Sequence, residues 1–158
     1  MTAKYRPDDS LSERDQKGEL KGARRIKDAL QKNNVRLGKG VITSRDTGMA
    51  AVRRDLKRTG LLPGVEHWQM PIVLGERGEI LCFISRLKPN ARVPEHAHEG
   101  IGVFRVILDG CLKYGRKTLN RGDWMLVPGG VDYEVQACSE GCVVFYGHFP
   151  WPIPWPPK

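Results

Sequence analysis

The chain has no apolar run near the roughly 18 residues that a membrane-spanning helix needs, so no span is expected anywhere in its 158 residues. Met1 to Ser10 contains no apolar stretch of the kind that marks a secretory leader, and Asp8, Asp9, Glu13 and Asp15 are out of keeping with an acid-poor transit peptide. Gly-x-Gly-x-x-Gly, a phosphate loop ending in Gly-Lys-Ser/Thr, and a Gly-x-Ser-x-Gly elbow are all missing, which makes nucleotide hydrolysis and serine-hydrolase chemistry poor candidates. The four cysteines, Cys82, Cys111, Cys138 and Cys142, form no Cys-x-x-Cys, so neither a zinc ribbon nor a thioredoxin-type pair is indicated. Before residue 60 there is one aromatic residue, Tyr5, and one proline, Pro7. That stretch therefore offers no stacking platform for nucleic-acid bases. No internal repeat is visible. The expectation is a cytoplasmic, non-membrane protein in a reducing compartment.

Charge is present but unevenly placed. The net charge is +8. Residues 1–60 hold 16 Lys and Arg against 8 Asp and Glu, whereas residues 61–158 hold 10 of each. Gly60, Pro63 and Gly64 punctuate the chain at the same place. The division is a basic, mostly helical arm over 1–60, a folded body over 61–149 and a Pro/Trp-rich tail over 150–158. In the arm, Leu20, Ala23, Ile26, Ala29 and Leu30 predict a helix from Ser10 or Ser12 to about Gln31, weakened by Gly18 and Gly22. A second helix is expected from Thr47, as cap, to Arg58, with Gly60 as its stop. Val35 to Ser44 has room for a short strand. Such a basic arm either contacts nucleic acid or another polyanion, or is a solvated helical face or an arm packed on a partner subunit. The second reading is preferred, because charge runs mostly mark exposed surface.

From Trp68 onward, short apolar runs alternate with turn residues. Strands are expected at Trp68–Leu74, Glu79–Leu87, Arg92–His98, Ile101–Leu108, Cys111–Tyr114, Lys117–Leu119, Trp124–Val127, Val131–Cys138 and Cys142–Phe149. That spacing predicts a mainly β fold, an antiparallel sandwich or barrel with hairpin connections. The tail from Pro150 to Pro157 lacks the amide donors of a central strand, and its Trp151 and Trp155 either cover the body's own surface or meet a partner. The sharpest local feature is His96-Ala97-His98. On a strand, residues i and i+2 face the same way, so both imidazoles would enter one space and share a metal.

These residues resemble the cupin superfamily. His96 and His98 match the histidine pair of its first motif, and Gly110 matches the closing glycine. Gly122, Pro128 and Gly130 match its second motif. The resemblance covers about residues 66–149 and implies a small antiparallel jelly-roll barrel, commonly with a metal inside. Two positions depart from the pattern: Val103 stands where the metal-binding Glu is expected, and Tyr133 where the third His is expected. Three replacements stay open. His148 reaches the interior if the last strand turns it inward; Glu95 or Glu99 swings in from the strand end; or Tyr133 serves as ligand or general acid/base. A divalent metal would be iron, zinc, manganese or nickel. Arg105 would clamp a carboxylate or enolate if it faced inward, although a solvent-facing Arg is the commoner case. Cys82 and Cys111 are read as core fillers, with Cys138 and Cys142 placed for a hairpin disulfide but expected to stay reduced.

The expected function is binding of a small organic molecule in the barrel, with His96, His98 and His148 as metal ligands and Tyr133 as the catalytic residue. An enzyme of this kind would be a metal-dependent oxygenase, isomerase or cyclase. The alternative is a metal-free sensor or interaction module whose arm contacts nucleic acid or a protein. A homodimer is expected in either case.

Overall fold

The structure, a computed structural model, describes residues 4–59 and 62–153. Gly60 and Trp155 lie outside the described residues. A 3-10 turn at Ser10–Ser12 and helices α1 (Lys21–Lys32) and α2 (Met49–Asp55) precede seven strands: β1 (Val65–Leu74), β2 (Ile80–Leu87), β3 (Arg92–His96), β4 (Ile101–Tyr114), β5 (Lys117–Asn120), β6 (Trp124–Val127) and β7 (Tyr133–Pro150). All pairings are antiparallel. The order is β1-β2-β7-β4-β5, with β3 also on β7 and β6 also on β4. The mainly β antiparallel barrel expected from the sequence is the fold observed.

Strand alternation decides what lies inside. Val103, Ile107, Leu81, Phe83, Val135, Val144 and their neighbours form one core cluster. The residues between them on the same faces are polar: Ser85 lies between Phe83 and Leu87, and Arg105 between Val103 and Ile107. His148 continues the inward set of Val144 and Tyr146. A period of two therefore carries these groups into the barrel along with the aliphatic core.

Nine short strands are expected from the turn residues, and seven are present among the described residues. The supposed turns at Asp109-Gly110 and Ser139-Glu140-Gly141 are bends inside the long strands β4 and β7. The β4–β7 register shifts at Ile107/Asp109 and Gly110/Leu112, which marks bulges that bend the pair without ending it. The two bends touch: a Cβ on Gly110 (φ 67°) would lie 2.1 Å from the Gly141 carbonyl oxygen. The same bend sets the cysteine pairing. Cys142 faces Gly110, so the disulfide joins Cys111 to Cys138 at a Cα–Cα distance of 5.5 Å, and not Cys138 to Cys142. Cys111 is thus a cross-strand link and not a core filler, while Cys82 and Cys142 are free and buried.

The helices are shorter than their stripes predicted. Asp15 Oδ1 accepts the Lys17 and Glu19 amides, and Gly18 takes φ 79°, so the chain turns there and α1 starts at Lys21. Gly48, at φ 85°, caps α2 in place of Thr47. No strand forms between Val35 and Ser44. The arm packs on the barrel of its own chain. A Cβ on Gly22 would meet Leu81 Cδ1 at 2.6 Å, so a glycine lets α1 approach the sheet. Gln69 Nε2 donates to the Gly22 carbonyl at 2.8 Å, and Arg25 donates to the Asp55, Leu56 and Lys57 carbonyls. Ile26, Ala29, Met49, Val52 and Leu56 form a second core between the helices. Much of the arm's positive charge is answered locally, by Glu13 on Lys21, Asp15 on Arg24, Glu19 on Lys27 and Asp8 on Arg58.

The contact between the two bends makes a stability prediction. Gly110→Ala forces two backbones apart and costs more than about 3 kcal/mol or prevents folding. Gly115→Ala, also at positive φ but with nothing within 4 Å of its Cβ, costs only about 1–2 kcal/mol. Urea unfolding of both variants checks this, and equal losses would contradict it.

Candidate functional site

A cavity of about 90 Å³ lies inside the barrel, walled by Leu87, Leu112, Val135 and Val144 at one end and by polar groups at the other. His96, His98, His148 and Arg105 border it and are buried, at 2%, 5%, 7% and 9% exposure. Tyr133, at the start of β7, pairs in register with His96 at the end of β3.

The Tyr133 hydroxyl is the point of convergence. His96 Nε2 and His98 Nε2 each lie 3.1 Å from it, and Arg105 Nη1 donates to it at 2.8 Å. The far sides of both imidazoles are fixed. His96 Nδ1 lies 2.7 Å from the Pro94 carbonyl, and His98 Nδ1 lies 2.7 Å from Asp9 Oδ1. A carbonyl and a carboxylate only accept, so each Nδ1 carries a proton, and in the neutral tautomer that this fixes each ring turns a bare Nε2 toward the hydroxyl. One phenolic proton cannot serve both nitrogens, so one buried lone pair is left over.

His98 lies just beyond β3, yet its ring centroid is 5.0 Å from that of His96, so the two rings share one space. His148 is inside the barrel, its ring centroid 5.1 Å from that of His98. Glu95 and Glu99 are exposed and do not enter the cavity. Val103, at the position expected to hold a Glu, is fully buried and faces His148 across the β4–β7 register. The carboxylate comes instead from the arm. Asp9 holds His98, Ser12 Oγ lies 3.4 Å from His148 Nδ1, and Tyr5 sets its ring edge-on to His96 at 5.4 Å. Sequence reasoning missed Asp9, because nothing in the local pattern at residue 9 foretells a contact 89 residues away. Arg105 was expected to face solvent and instead turns inward, because it shares its strand face with Val103 and Ile107.

Arg105 forms no ion pair among the described residues. Its guanidinium carbon lies 5.1 Å from the Tyr133 ring centroid and 5.3 Å from that of Tyr146. Such contacts are worth up to about 2 kcal/mol each, against a desolvation cost of several kcal/mol for a buried ion. Beyond Tyr146 lies a second polar group, with the Tyr146 hydroxyl 2.6 Å from His67 Nε2 and Ser85 Oγ 3.0 Å from His67 Nδ1.

Burial favours the neutral forms of His67, His96 and His148. It pushes His67 down to about 3 and His96 to about 4, with the Arg105 charge adding to the burial effect in both. Burial also drives His148 well below the ordinary value, with the nearby His98 and Arg105 in the same direction. The unfolded chain takes up protons at these positions below pH 6.5, while the fold does not. Their contribution to stability is therefore complete above pH 6.5. It falls as pH drops, by about 1.4 kcal/mol per pH unit for each histidine, until the folded value is reached. Urea unfolding between pH 7 and 5 should show this slope, and His67→Gln should lower it by one histidine's share. An unchanged slope would contradict the assignment.

Comparison with known proteins agrees with this fold. A family model described as the ChrR cupin-like domain matches residues 54–152. KdgF from Halomonas sp. is similar in structure, with a TM-score of 0.50 at 14% identity over 61% of this chain and 86% of that one. A chain in the crystal structure of Rhodobacter sphaeroides SigE in complex with the anti-sigma ChrR aligns with a TM-score of 0.49 at 16% identity, over 77% of this chain and 74% of that one. An RmlC-like cupin from Shewanella frigidimarina aligns with a TM-score of 0.47 at 17% identity, over 60% and 94%. No curated protein matches the sequence. With the family model covering more than half its length and a barrel shared with KdgF, the chain belongs to the ChrR cupin-like domain family of the cupin superfamily.

Proposed function

We propose that the barrel binds a small organic molecule beside a divalent metal held by His96, His98 and His148. The observation that supports this is the pair of bare Nε2 atoms converging on one buried point, with fewer protons there than acceptors. The donor set fits a first-row metal. Burial favours neutral His96 and His148, His96 and His98 are oriented through Nδ1, and a carboxylate backs His98 in the arrangement that tunes metal-bound histidines. Of these ligands His98 and His148 are the two that distance already groups, together with Asp9 and without His96, with one ligand atom from each within 4.8 Å of the others. The sequence pattern expected an acid at Val103; in this reading Asp9 supplies the negative charge from outside the barrel. A bound metal would polarise a carbonyl or carboxylate oxygen. Tyr133 holds a proton at its hydroxyl between Arg105 and the two imidazoles that line the cavity, placed to pass it through them to a bound molecule. The aliphatic end excludes water, and Tyr5 and Asp9 cover the mouth. Iron, zinc, manganese and nickel all suit such donors, and the reactions open to the site are those of an oxygenase, isomerase or cyclase.

The sensor reading draws support from a separate observation, that the arm touches all three histidines. A change at the cavity would then be transmitted to the arm. In that case ligand added to the protein alters amide exchange over residues 4–20; exchange that stays the same counts against it. Pairing of two copies is a companion proposal, supported by the exposed Phe104, Leu108 and Trp124 on the barrel exterior. Light scattering should then report a dimer for the native chain and a monomer for Trp124→Glu, and a native monomer would refute it. A cytoplasmic location belongs to the same proposal; no helix among the described residues is long and apolar enough to cross a membrane.

Metal content after dialysis against each of the four ions tests the main reading. The native chain should hold about one ion, and His96→Ala/His98→Ala none. Asp9→Asn should bind roughly 10–100-fold more weakly. Equal content in the native chain and the double variant would overturn the metal.

A further inference from the structure

We propose that the cavity's ligand is a short carboxylate, of one to three carbons, seated on the Arg105 guanidinium. Arg105 is more than nine-tenths buried, borders the cavity and has no acidic partner among the described residues. Its one protein hydrogen bond among them goes to the Tyr133 hydroxyl, a neutral group. A guanidinium presents five donors in a planar fork that matches a carboxylate, so most of its hydrogen-bonding capacity remains for a ligand. The other charged groups at the cavity do not meet this need. Asp8 is engaged by Arg58, and Asp9 by His98. No carboxylate among the described residues contacts Arg105, so its free N–H groups face the cavity, and a ligand carboxylate would meet them directly.

The walls choose among anions. The polar end holds Arg105 and the histidines, and the opposite end is built from Leu87, Leu112, Val135 and Val144. An inorganic phosphate would turn oxygens toward those aliphatic side chains, whereas a carboxylate with a hydrocarbon end satisfies both. Size points the same way. A cavity of about 150 Å³ accommodates benzene, so about 90 Å³ suits a molecule near the size of acetate. This inference rests on the cavity being a small-molecule site, but not on the metal.

The test is calorimetric titration of the full chain with sodium acetate, acetamide and inorganic phosphate, before and after chelator treatment. Acetate should bind in both preparations, and acetamide, its uncharged analogue of the same shape, should bind at least tenfold more weakly. Arg105→Gln should weaken acetate by roughly 10–100-fold while keeping the metal content of the native chain. Tyr133→Phe provides a second variant, which should weaken acetate by a smaller factor. The native-chain comparison of acetate with acetamide decides the matter even if Arg105→Gln fails to fold. Equal binding of acetate and acetamide, preference for phosphate, or acetate binding that disappears with the chelator would each overturn the proposal. Loss of acetate binding with metal content intact would overturn the carboxylate assignment alone and leave the metal reading standing.

Discussion

A carboxylate–imidazole contact ties the arm of this protein to the interior of its barrel. Asp9 comes from the arm, His98 from the barrel, and their 2.7 Å contact fixes which nitrogen of His98 faces the interior. Asp8 on Arg58 anchors the same stretch of chain, so Asp9 does not have to hold the arm alone. The arm is thus part of the site's wall. Its positive charge, which reads in the sequence as a surface for polyanions, is in good part spent on its own acids and on backbone carbonyls.

The interior shows why such a contact matters. A barrel this small buries what its inward positions hold, and here those positions hold four histidines, two tyrosines and an arginine among aliphatic residues. Burial favours neutral His96 and His148, and the Arg105 charge pushes the same way. Neutral imidazoles cannot offset a guanidinium. Asp9 is the carboxylate that the arm brings to the histidines, and none among the described residues contacts Arg105.

The barrel was legible because its strands alternate and its turns carry glycine. The His96/His98 pair was legible because a two-residue spacing places side chains on one side, and the rings meet even though His98 lies just past the strand end. Arg105 followed the same period as Val103 and Ile107, and a general preference of arginine for solvent argued against what the local pattern said. What the sequence hid was long-range. The bends at Gly110 and Gly141 look like chain-reversing turns until the contact between them is seen, and the same bend brings Cys138 opposite Cys111, giving a disulfide where free thiols were expected. Asp9 is hidden for the same reason: its role depends on a segment folding back across the mouth of a barrel that begins more than 50 residues later.

The account stands or falls on which nitrogens of His96 and His98 face the Tyr133 hydroxyl. Long-range nitrogen–proton NMR correlation of the histidine rings reads this directly in the native chain. The prediction is that both rings are protonated at Nδ1 and bare at Nε2, with Asp9→Asn changing the His98 ring and leaving that of His96 as it was. Protonation of both rings at Nε2, or a His98 ring indifferent to the loss of the Asp9 charge, would contradict it.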